Sequence, residues 1–302
     1  MKENYKFNAS QLFNFARDSY FERTSRPIYA LVFLFPFIVF YEVGTIFINT
    51  DILNQTQVRV VAFVWLQNFL EYLGFGGKFV WGAPAAAVVI ILLALQLVSR
   101  KRWVFGVRDL WPMTIECVLL AAPLIVLSLF LNSSARPQGS AGQLNAGPPS
   151  MRCEAVLSCS SVTNNGLPTT EAGGEKSKSK SLLADIVTGI GAGIYEELIF
   201  RLILICLLMV LFQDVLRLNQ KSSIILSILV SAALFSAHHH IVFLDGLLAP
   251  SAPFNLTEFG FRTIAGVYFA AVFAVRGFGI TAGTHVFYDI IATVINTYFF
   301  PQ

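Results

Sequence analysis

The chain has 302 residues, of which 55% are hydrophobic, 14% aromatic and only 13% charged, with a formal net charge of +3 and a mean hydropathy of +0.65. Soluble domains carry about 25% charged residues, so charge is short by about half, while apolar runs long enough to cross a hydrocarbon core of about 30 Å recur along the chain. These figures exclude a soluble globular domain, a collagen, a coiled coil and an ordinary disordered chain. Lys and Arg border apolar segments in place of forming a basic stripe, which argues against a nucleic-acid partner.

In chain order, residues 8–26 mix Phe, Leu and Tyr with Arg and Glu at loosely helical spacing and read as an interfacial helix. The first apolar run has no small-residue cleavage site after it, so it reads as a transmembrane helix and not a cleaved signal peptide. Spans are expected at 27–48, 79–99 and 114–131, with an amphipathic or re-entrant segment at 60–72 and an interfacial belt at 103–111. Residues 132–181 turn abruptly to Ser, Gly, Pro, Asn and Thr and read as a low-complexity disordered linker. A second block follows with spans at 182–216, 222–243, 261–275 and 280–300. The expected fold is therefore all-α: a polytopic bundle of about seven spans plus interfacial helices, divided into an N-terminal membrane block (1–131), the linker (132–181) and a membrane core (182–302).

The short-loop cations set an orientation. Lys2, Lys6, Arg17, Arg23 and Arg26, then Arg100, Lys101, Arg102 and Arg108, then Arg217 and Lys221, then Arg276 all fall on one side if there are seven spans. That side is expected to be the cytoplasm, of a plasma (inner) membrane, with 132–181 outside. Cys117 and Cys206 lie in apolar runs as small core residues, whereas Cys153 and Cys159 would be able to pair in an extracytoplasmic linker.

Ionisable residues inside apolar helices cost on the order of 3 kcal/mol each even on the mild insertion scale. Three such clusters lie in the second block: Glu196, Glu197 and Arg201; Phe235 with His238, His239 and His240; His285 and Asp289. Glu197 and Arg201 stand at i and i+4 and pair along one face. Glu196 is rotated about 100° from Glu197, has no cation at helical spacing, and reads as a general base. A packing network in which both glutamates share Arg201 is the alternative. His285 and Asp289 are also at i and i+4, either an imidazole oriented by a carboxylate or a polar pair joining helices. Counting about 1.5 Å per residue from a turn near Asn219 puts Glu196 and His239 within about 5 Å of one level, so His238 or His239 can face Glu196. Gly189 with Gly193, and Gly279 with Gly283, have the spacing of close helix packing.

The order E-E-x-x-x-R, F-x-x-x-H, H-x-x-x-D resembles the CPBP family of intramembrane proteases, which includes the type II CAAX prenyl endopeptidases and bacteriocin-processing or immunity proteins. The resemblance spans about 182–300. It implies that Glu196 activates the attacking water with His239, that His285 and Asp289 stabilise the oxyanion, and that Glu197 and Arg201 support Glu196. Where the family often carries Asn this chain has Asp289, which donates a hydrogen bond only when protonated; when ionised it would orient His285 instead of contacting the oxyanion. The resemblance favours metal-independent chemistry, although Glu196, His239 and His285 form a possible zinc set with an open fourth position. The expected partners are the bilayer and a membrane-embedded or lipid-anchored protein or peptide substrate. A non-catalytic scaffold or immunity-type protein is the competing function. A proton or ion relay is a further one, though no inverted repeat supports it.

Overall fold

The protein is described from a computed structural model covering residue 16 and residues 18–50, 60–75, 82–134, 174–244, 247–250 and 255–299. The linker residues 135–173, and with them the Cys153–Cys159 pairing, lie outside the described residues, as do positions 1–15 of the N-terminal segment.

A short helix α1 (Tyr20–Thr24) is followed by α2 (Pro27–Thr50), α3 (Val61–Tyr72), α4 (Ala83–Ser99) and α5 (Leu110–Ser134). The second block opens with α6 (Gly174–Glu197), which runs without a break into a π-helical stretch Leu198–Leu204, α7 (Ile205–Met209) and a second π-helical stretch Val210–Val215. Then come α8 (Gln220–His238), a hairpin of β1 (Ile241–Leu244) and β2 (Leu247–Pro250), α9 (Leu256–Arg276) and α10 (Phe278–Phe299). Asn219 and Asn255 cap α8 and α9, their side chains accepting from the backbone N–H groups of Ser222 and Thr257, as N-terminal orphan donors require.

Among the described residues six helices are long and apolar enough to cross a membrane: Pro27–Ile48, Val107–Leu131, Leu182–Val215, Gln220–His238, Leu256–Arg276 and Phe278–Phe299. Ala83–Ser99, where the second span is expected, is a shorter apolar helix of 17 residues. The protein is a polytopic helical membrane protein.

Several boundaries differ from those read in the sequence, among them the third span beginning at Val107 and the sixth at Leu256, and two others bear on the site. Helix α6 begins at Gly174, inside the segment taken as linker, because Lys and Ser cost only tenths of a kcal/mol per residue in a helix and need only extend one already nucleated by the apolar run. The fifth span stops at His238 instead of continuing to 243. The chain tightens there, with His239 N–H bonded to Ser236 C=O and His240 N–H to Ala237 C=O, and then turns into the hairpin, which the all-α expectation did not include.

Helix α10 is central. It packs on α6, α5, α2 and α9, and buries a polar face of Thr281, Thr284, His285, Asp289 and Thr293. Its approach to α6 is close because Gly193 has no side chain: a Cβ there would lie 2.6 Å from Val286 N and 2.9 Å from Val286 Cα. The N-terminal block closes the other side, where a Cβ at Gly279 would meet Ala30 Cα at 2.7 Å and one at Gly283 would meet Phe33 and Cys117. Gly193→Ala is expected to lower stability by about 1–3 kcal/mol through forced separation of backbones. Gly260→Ala on α9, where nothing lies within 4 Å, should be neutral or slightly stabilising. Thermal denaturation of both variants in detergent checks the contrast.

Among the cations counted for the orientation, Arg23, Arg26 and Arg276 are paired with acids. Arg23 donates to both carboxylate oxygens of Asp109 at 3.0 and 2.9 Å. Arg276 does the same to Glu116, and also donates to Thr24 Oγ1 and the Phe21 carbonyl. Helix α1 is thereby fastened to α5 and α9. Arg26, 2.6 Å from Glu22, holds the Glu22 carboxyl below the usual carboxylate range.

Candidate active site

The site is assembled where α6, α8 and α10 meet, and each helix supplies one of the three clusters. Glu196, Glu197, Arg201, His285 and Asp289 are fully buried, and His238 and His239 nearly so. Buried charges require partners, and two separate arrangements result.

The first joins α6 to α10. Arg201 Nε lies 3.1 Å from Glu197 Oε2, and Glu197 Oε1 accepts from His285 Nδ1 at 2.7 Å. A carboxylate only accepts, so the imidazole proton of this bond is on Nδ1. The guanidinium also donates to the Gly266 carbonyl at 3.4 Å and stands 4.1 Å over the Phe235 ring, a cation–π contact strengthened by the absence of water. His285 stacks on Phe269, 4.5 Å between centroids and 19° between planes. Its Nε2 is 3.6 Å from Asp289 Oδ2, too far for a hydrogen bond. His285 and Asp289 therefore share a face at i and i+4 without a direct bond between them.

The π-helical stretch after Glu197 has a local cause of stability. A π turn displaces carbonyls from their usual i+4 partners, and the Phe200 carbonyl is met instead by Ser231 Oγ of α8 at 2.7 Å. This bond ties α8 to the segment that carries Arg201.

The second arrangement surrounds Glu196. His238 Nε2 lies 3.6 Å and His239 Nε2 3.9 Å from its Oε1. Both Nδ1 atoms contact the Phe235 carbonyl, at 2.8 and 2.9 Å; a carbonyl only accepts, so both Nδ1 atoms carry protons. This sharing depends on the helix end. In a continued α-helix the Phe235 carbonyl would take the His239 N–H, but that N–H goes to Ser236, leaving the carbonyl to orient two imidazoles. Neither oxygen of Glu196 has a hydrogen bond among the described residues. Ligand atoms of Glu196, His238 and His239 all lie within 4.8 Å of one another.

All six residues singled out by the sequence come to this region, but the grouping differs from the one expected. Among the described residues the set close enough to hold an ion is Glu196, His238 and His239, in place of the expected Glu196, His239 and His285. His238 therefore stands beside His239 at Glu196. Sequence reasoning also missed Trp65 of α3, whose ring meets His238 edge-on at 5.6 Å, and Ser231. No local spacing announces either residue.

A buried carboxylate–imidazole site inside a helical membrane bundle defines the class of protein. Residues 178–291, rather more than a third of the chain, match the model of the family described as type II CAAX prenyl endopeptidase Rce1-like. No curated protein and no solved structure matches the chain.

Proposed function

We propose that the protein is an intramembrane endopeptidase that hydrolyses peptide bonds of membrane-embedded or lipid-anchored substrates, with Glu196 as the general base. The observation that carries this reading is the state of the two adjacent glutamates. Glu197 is neutralised by Arg201 and bonded to His285, whereas Glu196 has no hydrogen bond among the described residues and faces two imidazole nitrogens across 3.6 and 3.9 Å. That spacing suits a water between them.

In the proposed reaction the water oxygen attacks the scissile carbonyl while its proton passes to Glu196. The negative oxygen of the tetrahedral intermediate is stabilised on the α10 side by His285 as the imidazolium, its Nδ1–H donating to Glu197 and its Nε2–H, which has no hydrogen bond among the described residues, donating to the oxyanion, with Asp289 contributing when protonated or otherwise orienting the ring. The C–N bond then breaks, and Glu196 returns the proton to the leaving amine. Glu197 and Arg201 hold His285 and the α6 turn in place. In this reading residues 182–302 form the catalytic core, and 1–131 brace it and contribute Trp65 beside His238.

Comparing the membrane proteomes of cells carrying the wild-type protein and Glu196→Gln tests the activity and identifies substrates together. Fragments present only with the wild type support the reading; identical proteomes, with no cleavage by the purified wild-type protein, would make it a scaffold. The orientation is tested separately. With a cytoplasmic N-terminus and seven crossings, Cys153 and Cys159 should react with an impermeant thiol reagent from outside the cell after reduction. Reaction only from the cytoplasmic side would overturn that topology.

A further inference from the structure

We infer that the outer edge of β1 is a substrate-binding element, pairing with the peptide segment beside the scissile bond as an added strand. This rests on the proposed peptidase reading and deepens it by stating the form in which the substrate is held, an extended peptide. The need for such an edge comes from the solvent. A peptide bond inside a helix keeps its carbonyl hydrogen-bonded and shielded, so a membrane-embedded segment has to unwind before Glu196 and its water reach it. Unwound backbone in hydrocarbon carries a large cost for every N–H and C=O left without a partner. A strand edge supplies those partners, as main-chain hydrogen bonds do wherever a peptide adds to a sheet.

The register of the hairpin shows which edge is available. Ile241 pairs with Pro250, Val242 with Ala249, Phe243 with Leu248 and Leu244 with Leu247, antiparallel. Positions along such a pair alternate between residues that exchange N–H and C=O bonds with each other and residues whose groups point away. Leu244 and Leu247 have two residues between them in the sequence, so they form the bonded pair that closes a two-residue connection. The alternation makes Val242 and Ala249 the next bonded pair, and turns the N–H and C=O groups of Ile241 and Phe243 to the outer edge of β1. Leu248 and Pro250 face the outer edge of β2 in the same way. Pro250 has no N–H to donate, the position in which a strand tolerates proline, and it blunts the β2 edge against a further strand. The β1 edge keeps both of its donors and both of its acceptors, and among the described residues the sheet has no third strand.

Position gives the second argument. β1 begins at Ile241, two residues after His239, and packs on α8. His238 Nε2 lies 3.6 Å and His239 Nε2 3.9 Å from Glu196 Oε1. Two residues of extended chain reach about 7 Å, and paired strands run about 4.8 Å apart. A peptide held on β1 therefore brings a bond two or three residues beyond the paired segment within range of Glu196. The tightened turn at His239, which leaves the Phe235 carbonyl to orient both imidazoles, also sends the chain into β1. One helix end thus sets the histidines and the strand edge together.

The test uses the full-length protein in detergent and a synthetic peptide spanning a cleavage site found in the proteomic comparison, made as a series with one N-methyl group moved a residue at a time. A strand presents its N–H groups alternately to its two sides. N-methylation should therefore raise KM about 5- to 100-fold at every second residue of the paired segment and leave it near the parent value at the residues between. Phe243→Pro removes an outward N–H without breaking a bond of the hairpin, and should raise KM by about the same factor with kcat within about twofold. Leu248→Pro makes the same change on the outer edge of β2 and should cleave as the wild type does. Circular dichroism and size-exclusion profiles identify a variant that fails to fold, and the N-methyl series on the wild-type protein then decides alone. Sensitivity without a two-residue period, or equal effects of Phe243→Pro and Leu248→Pro in folded protein, overturns strand addition and leaves the protease reading standing. No cleavage of any peptide by the wild type overturns both.

Discussion

Glu196→Gln is expected to reduce turnover by about 10²- to 10⁴-fold without loss of the folded protein. Gln preserves the shape of the side chain but does not take a proton from water. Its structural cost should be small for a specific reason: the Glu196 oxygens make no hydrogen bond among the described residues, so no internal bond is broken, and a buried charge is removed. The variant should therefore insert normally and melt in detergent at the wild-type temperature or above it. Turnover measured on a substrate found by the proteomic comparison, beside the melting curve, separates the two effects. His238→Ala and His239→Ala should both lower turnover strongly, because both Nε2 atoms approach Glu196. Normal turnover by Glu196→Gln would remove the mechanism.

Glu197→Gln should behave in the opposite way, losing stability as well as rate. It strips the counter-charge from a guanidinium that is fully buried, and it replaces the charged acceptor of the His285 N–H. Removing one member of a buried ion pair costs about 3–5 kcal/mol, a large share of the stability of most domains. Adding Arg201→Met to Glu197→Gln removes the orphaned charge, so the double variant should recover much of that loss, as expected for groups that are directly coupled. Denaturation curves for the two single variants and the double variant complete the cycle. A double variant no more stable than Glu197→Gln would show that Arg201 is held by Phe235 and the Gly266 carbonyl alone.

The membrane-spanning pattern was legible because it is a property of composition over some twenty residues, and length and hydropathy survive whatever tertiary contacts form. The pairing of Glu197 with Arg201 was legible for a related reason, since helical spacing is local. The relation of His238 to His239 was not legible. On a continuous helix, adjacent side chains diverge by about 100°, and that geometry makes one histidine a partner of Glu196 and sends the other elsewhere. The structure places both near Glu196 because the helix tightens and stops there, a termination that the apolar run through Ile241, Val242 and Phe243 conceals. His285 was legible as an ionisable residue in a span but not as the partner of Glu197, because that bond joins residues 88 positions apart. The start of α6 at Gly174 was hidden by Ser- and Lys-rich composition, which signals exposure to water more reliably than it signals the absence of a helix.

The close approaches at Gly279 and Gly283 bear on how this protein can be inherited and recombined. Both glycines lie in the family-matched segment, yet the atoms that fill the space beside them belong to Ala30, Phe33 and Cys117 of the preceding block. Any side chain larger than alanine at position 30 would press on α10 as surely as a change at Gly279 itself, so the two positions must drift together or not at all. Transplanting residues 178–291 into an unrelated set of membrane helices would carry over every charged group of the site and still leave α10 without the surface that seats it. For this chain, the smallest unit that can move between proteins as a working whole includes α2 and α5.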